Sequence, residues 1–124
     1  MTFTNAGAQI IAWAIGSDIA DDYIISIGIG SGSGTPAVTD TTLINEYTRK
    51  SITGSPDFTT ARKASFQADY NSVELSGTSI LEFGLFSIGS DNVGSVWQRE
   101  GFGSIAFDGT NELQIQTTLE VIPG

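Results

Sequence analysis

The sequence predicts a mainly β domain, an antiparallel β-sandwich or jelly roll with one short N-terminal helix. Three observations carry that prediction. Arg62 to Tyr70 and Glu112 to Ile122 alternate apolar and polar residues with a period of two, the signature of strands with one buried face. Turn signals such as Gly54-Ser55-Pro56-Asp57, Gly89-Ser90-Asp91-Asn92 and Asp108-Gly109-Thr110-Asn111 recur at short intervals, as between sandwich strands. The 15 glycines, scarce Lys and Arg and many β-branched residues suit a turn-rich β protein.

The elements follow in order. Asn5 is expected to cap a helix over Ala6 to Ile15, which its alanines favour. Gln9 is the lone polar side chain of that run. A helix without a polar stripe must be buried on all sides or lie against another subunit. Ile10, Ile11, Trp13 and Ile15 are therefore the expected assembly interface. A polar connector with Asp18, Asp21 and Asp22 follows. It lacks the ladder of oxygen ligands and the closing Glu of a calcium loop, and reads as solvated.

Tyr23 to Ile29 reads as a buried strand, and Gly30 to Gly34 as a flexible loop. Gly32-Ser33-Gly34-Thr35-Pro36-Ala37 fits G-x-G-x-x-A formally. The crossover helix and parallel partner strand that a dinucleotide site needs do not follow it. Leu43 to Glu46 is expected to make one helical turn before a strand from Tyr47 to Ile52. After the strand Arg62 to Tyr70, Val73 and Leu75 suggest a short strand. Ser79 to Ile88 and Gly94 to Phe102 read as an antiparallel hairpin, Ser104 to Phe107 as a short strand, and Glu112 to Ile122 as the last one.

Length and composition bound the function. At 124 residues one domain is expected. A net charge of -9 argues against nucleic acid, which needs clustered cations. The chain has no Cys and no His. Disulfides, thiol chemistry, histidine-bound zinc and Ser-His catalysis are thereby excluded. No apolar run reaches the roughly 20 residues of a membrane-spanning helix. No cofactor is expected, and the segment before Ala12-Trp13-Ala14 lacks the cations of a signal peptide.

One constellation could carry chemistry. Glu82 lies among Ile80, Leu81, Phe83 and Leu85, so its carboxylate must reach solvent or a partner. Arg49, Arg99 and Glu46 are the candidates for a charged cluster with it. An ion pair fixing strand and loop is the favoured reading over a pair of catalytic carboxylates. Trp13 and Trp97 are read as core or interface residues rather than a carbohydrate platform.

The ordered set of motifs resembles a known group. A strand ending in Gly28-Ile29-Gly30 leads to Pro36-Ala37, Thr39-Asp40-Thr41 and Leu43-x-x-Glu46-x-x-Arg49. Thr4-Asn5-Ala6-Gly7 precedes them, and Glu82-Phe83-Gly84-Leu85-Phe86 and Ser95-Val96-Trp97-Gln98-Arg99 follow. Together these resemble small tail-associated structural proteins of tailed phages and related archaeal viruses. The resemblance implies a non-enzymatic virion component in a tail, baseplate, fibre or capsid surface, made in the host cytoplasm. It implies a homo-oligomer that contacts other virion proteins. A receptor- or glycan-binding module at a viral tip, facing a host surface receptor, is the alternative.

Overall fold

The computed structural model describes residues 2–8, 24–57, 59–87, 96–120 and 122. Two antiparallel sheets face each other. The larger has the order β1-β6-β5-β2-β3, with β1 Thr2–Phe3, β2 Ser26–Gly30, β3 Glu46–Ser51, β5 Ser79–Phe86 and β6 Val96–Ala106. The smaller is a ladder of β4 Lys63–Tyr70 and β7 Leu113–Glu120, in register from Lys63 opposite Glu120 to Tyr70 opposite Leu113. The result is sandwich-like rather than a closed barrel.

The core lies between the sheets. Ile27 and Ile29 of β2, Phe83 and Leu85 of β5 and Trp97 of β6 meet Phe66, Ala68 and Tyr70 of β4 and Ile115 of β7. The period-two reading of Arg62 to Tyr70 holds, since Phe66, Ala68 and Tyr70 are buried while Ser65, Gln67 and Asp69 are half-buried on the other face. Tyr70 sends its phenol O–H across the sandwich to the carbonyl of Ile27. That bond lets a polar tip end inside an apolar layer.

Four local expectations need correction. Thr4, not Asn5, caps the N-terminal helix. Its hydroxyl accepts the Gly7 N–H at 3.0 Å, and its carbonyl accepts the Ala8 N–H at 3.0 Å. The same hydroxyl reaches the carbonyls of Val96 and Trp97 on β6, which explains the burial of Thr4. Residues 5–8 form the first helical turn. The expected interface residues Ile10, Ile11, Trp13 and Ile15 lie outside the described residues, as do Asp18, Asp21 and Asp22.

Val73 and Leu75 belong to a one-turn helix, Ser72–Leu75, not to a strand. The Asn71 side chain accepts the Glu74 N–H, while the Glu74 carboxylate accepts the Asn71 N–H. This reciprocal cap outweighs the β preference of one valine. Leu43 to Glu46 is not helical, because Glu46 already opens β3. Finally, the segments expected as two strands around Gly103 are one, Val96–Ala106. Its register against β5 shifts twice, so bulges absorb the extra residues instead of a break.

Candidate functional site

The charged cluster sits on the face of the large sheet that points away from β4 and β7. Its construction starts with glycine. In β2 and the residues after it, Ile27 and Ile29 face the core while Gly28, Gly30 and Gly32 fall on the opposite face. Gly84 of β5 stands directly across from Gly28. That face therefore lacks side chains where the chain between β2 and β3, residues 31–45, lies down upon it.

The approach is too close for any larger residue. A Cβ on Gly32 would stand 2.2 Å from Glu82 Oε2, and one on Gly30 would stand 2.4 Å from the Asn45 carbonyl. Leu43, 4% exposed, fills the hole above Gly28 and Gly84. With Phe86 and Val96 it forms a second apolar cluster separate from the main core.

Glu82 fastens this strap. It is fully buried, and four donors meet its carboxylate. Oε1 accepts the Ile44 N–H at 2.8 Å and Arg99 Nε at 3.1 Å. Oε2 accepts the Gly32 N–H at 2.7 Å and the Asn45 N–H at 2.9 Å. Charge-assisted bonds to every lone-pair direction compensate the loss of water around a buried carboxylate. They also explain why Ile44 and Asn45 are not helical, since their amides serve Glu82.

Arg99 extends the clamp. Its Nη1 meets Asp40 Oδ2 at 3.2 Å and its Nη2 donates to the Gly34 carbonyl at 3.3 Å. Asp40 in turn accepts the Ala37 N–H at 2.9 Å. Beside it, Arg49 grips Glu46 with two bonds of 2.8 and 2.9 Å, and its guanidinium lies 3.4 Å over the centre of the Phe86 ring. The structure thus brings Glu82 together with Arg99, and Glu46 with Arg49. Arg49 also packs its stem against Gly28, within the same layer.

The loop expected to be flexible, Gly30 to Gly34, makes hydrogen bonds to the strap and to the charged cluster. Gly30 is the last residue of β2, Ser31 donates to the Asn45 carbonyl, and Gly32 and Gly34 are bonded as above. The far part of the strap is held as well. Asn5 donates to the Val38 carbonyl at 2.8 Å, and Val96 to that of Thr41 at 2.9 Å. The glycines supply close approach here, not slack.

Sequence reasoning missed Asp40, Leu43 and the pairing of Gly28 with Gly84. The available signal was glycine at every second position from Gly28 to Gly34. In a strand that spacing strips one face, which a neighbouring backbone then occupies. Trp97, 6% exposed, is part of the main core. Among the described residues no group of acidic side chains has the geometry of a metal site, and no helix is long and apolar enough to cross a membrane.

Chemically the cluster holds a shape. Glu82 has no exposed surface and no lone pair left for a substrate proton, and general acid–base work needs both. The chain matches no protein-family model, and no curated protein matches it.

Proposed function

We propose that this protein is a non-enzymatic structural component of a virion, of the tail-associated kind that its motifs resemble, working by self-assembly. The observation that carries this reading is the clamp. Glu46, Arg49, Glu82 and Arg99 stand within the motifs of the resemblance; Glu82 and Arg99 spend their charge on holding the strap to the sheet, while Glu46 and Arg49 pair with each other within β3 beside it. Residues that an enzyme would keep accessible are here buried and saturated with protein donors. A pre-formed strap also presents a fixed surface, with Val38 and Ile44 more than half exposed. Apolar side chains on a rigid element suit contact with neighbouring virion proteins.

The reading predicts that the purified protein associates with itself in a concentration-dependent way. Multi-angle light scattering across a hundredfold concentration range checks this. A mass that stays at 13.0 kDa throughout would remove the self-assembly reading.

The second reading, a glycan- or receptor-binding module, has one feature in its favour. A cleft of about 270 Å³ on the small sheet is lined by Thr53, Ser55, Asp57, Gln67, Gln116 and Thr118. Those side chains could hydrogen-bond sugar hydroxyls. Among the described residues the aromatic that lines the cleft is Phe66, a buried core residue that offers no open face for a sugar to stack on. Self-assembly is therefore the conclusion.

A further inference from the structure

The connection between β6 and β7, residues 107–112, holds a covalent weak point remote from the strap. Asp108-Gly109 is the one place in the chain where an aspartate or asparagine is followed directly by glycine. A side chain on the following residue shields its backbone nitrogen, and glycine has none.

The turn brings the two reacting groups together. Asp108 Oδ1 accepts the Thr110 N–H at 3.0 Å and the Thr110 hydroxyl at 2.5 Å. A side-chain bond to the amide two residues ahead makes an Asx-turn. It folds the carboxyl along the main chain, over the Gly109 nitrogen that lies between. Gly109 stands at φ +95°, a left-handed backbone that a residue with a side chain rarely adopts. It is half-buried against Ser76, where an added Cβ would stand 3.1 Å from Oγ. The turn thus demands glycine at this position, and the reactive dipeptide comes with it.

We infer that Asp108 is a site of spontaneous isomerisation to isoaspartate through a cyclic imide, and that Thr110 sets its pace. The inference stands apart from the assembly reading, since it needs only this turn and water. The Gly109 nitrogen adds to Asp108 Cγ, and its proton leaves with the carboxyl OH as water. Water then adds to one of the two carbonyl carbons of the imide. Breaking the bond from Cγ to nitrogen restores aspartate. Breaking the bond from the main-chain carbonyl carbon to nitrogen leaves the chain running through Cγ, with the old carbonyl as a free carboxylate. Overall no atom is gained or lost, and nothing is oxidised or reduced.

Thr110 acts in two opposed ways. Its N–H holds the carboxyl over the nitrogen. Its hydroxyl, and less strongly its N–H, also hold the Asp108 carboxyl below its ordinary titration range, because both bonds favour the charged form. The ring closes from the neutral acid, whose OH can leave, so a retained charge slows it at neutral pH. Asp57 is an internal control. Its Oδ1 accepts the Thr59 N–H at 2.8 Å, but phenylalanine follows it in the sequence.

Isomerisation lengthens the main chain by one carbon beside Phe107. There the connection is pinned to the residues after the one-turn helix. Gly77 donates to the Phe107 carbonyl, and Phe107 to the Thr78 carbonyl, both at 2.9 Å. The added carbon strains that pairing, so the Gly77 amide should exchange faster in the modified chain.

Incubating the purified protein warm at neutral pH, in water enriched in heavy oxygen, tests the site over weeks. Trypsin then releases Glu100 to Gly124, with Asp108 as its only aspartate, and Ser51 to Arg62, with Asp57 as its only one. Isoaspartate is read by peptide chromatography, by labelling with an isoaspartyl methyltransferase and by the heavy oxygen gained on ring opening. In wild type it should accumulate several-fold faster at Asp108 than at Asp57. Thr110→Val, which keeps the N–H and loses the hydroxyl, should raise the rate at Asp108 several-fold with β circular dichroism unchanged. Thr110→Ser, which keeps the hydroxyl, should match wild type. Asp108→Asn, which closes the ring by releasing ammonia and has no charge to lose, should form isoaspartate several-fold faster than wild type. Wild-type isoaspartate no more abundant at Asp108 than at Asp57, or none from Asp108→Asn, overturns the site. Equal rates for Thr110→Val and wild type, with Asp108→Asn reacting, overturn the role of Thr110.

Discussion

The two faces of the large sheet are covered in opposite ways. One face meets β4 and β7 through Ile27, Ile29, Phe66, Tyr70 and Ile115, an apolar layer crossed by the hydrogen bond from Tyr70 to the Ile27 carbonyl. The other meets the strap through Gly28, Gly30, Gly32 and Gly84, and through Glu82 and Arg99. Side chains interlock on the first face, whereas backbone lies almost directly on backbone on the second. The contrast teaches that an irregular segment can be fixed as firmly as a strand if a buried charge takes up its amides. An apolar residue at position 82 could fill the space but could not bond the amides of Gly32, Ile44 and Asn45.

The largest break in this contrast should come from Arg99. Arg99→Met leaves Glu82 buried with its three amide donors but without its cation. A cost of about 3–5 kcal/mol is expected, since a lone buried charge is the costly product of such a change. Urea unfolding measures it. Combining Arg99→Met with Glu82→Gln should recover part of the loss. A single variant as stable as wild type would show that the amides alone hold the carboxylate.

Gly32→Ala tests the close approach. Its Cβ would meet Glu82 Oε2 and the side chain of Ile44, so strap and carboxylate must part. Overpacking of this kind costs about 1–3 kcal/mol. Hydrogen exchange sharpens the point. In wild type the amides of Gly32, Ile44 and Asn45 should be protected. In the variant they should exchange much faster, while those of β4 and β7 keep their protection. Uniform loss across both faces would mean that the two layers unfold as one.

The smallest effect belongs to a surface pair that offers a control. Lys50 and Glu74 meet at 2.6 Å with side chains 40% and 32% exposed. Water screens such pairs, and a stability loss under about 1 kcal/mol is expected for Lys50→Met. The hydrogen bond from Lys50 is the main reason that the Glu74 carboxyl titrates below its ordinary range. A carboxyl held low in the folded state adds stability above its unfolded pKa and loses it as pH falls through the folded one. The melting temperatures of wild type and Lys50→Met should therefore differ at neutral pH and converge in acid. A gap that persists below the pKa of Glu74 would assign the effect of Lys50 to its contact with the Tyr70 ring.

The regions also differ in how much of them could be read in advance. The alternation of β4 and β7 was legible because a period of two needs only neighbours in sequence. The Glu82 environment was half legible. A carboxylate inside an apolar strand demands a partner, and Arg99 was among the few cations on offer. That Asp40 and three amides would join it depended on where a loop of 15 residues came to rest, which no local pattern encodes. The one-turn helix at Ser72–Leu75 was legible in principle, since Asn71-x-x-Glu74 is a capping box.

By itself the sequence determined the β class, the alternation of the small sheet, the lack of cysteine and histidine chemistry, and the need for Glu82 to find a cation. Each of these follows from residue type or from spacing along the chain. The tertiary structure alone decided which strands became neighbours, and that Gly28 would face Gly84. It also decided that the stripped face would take a strap instead of a second sheet. Those outcomes depend on contacts between residues far apart in sequence, such as Gly32 with Glu82 and Thr4 with Trp97. Such contacts form only when the whole chain satisfies its buried polar groups at once.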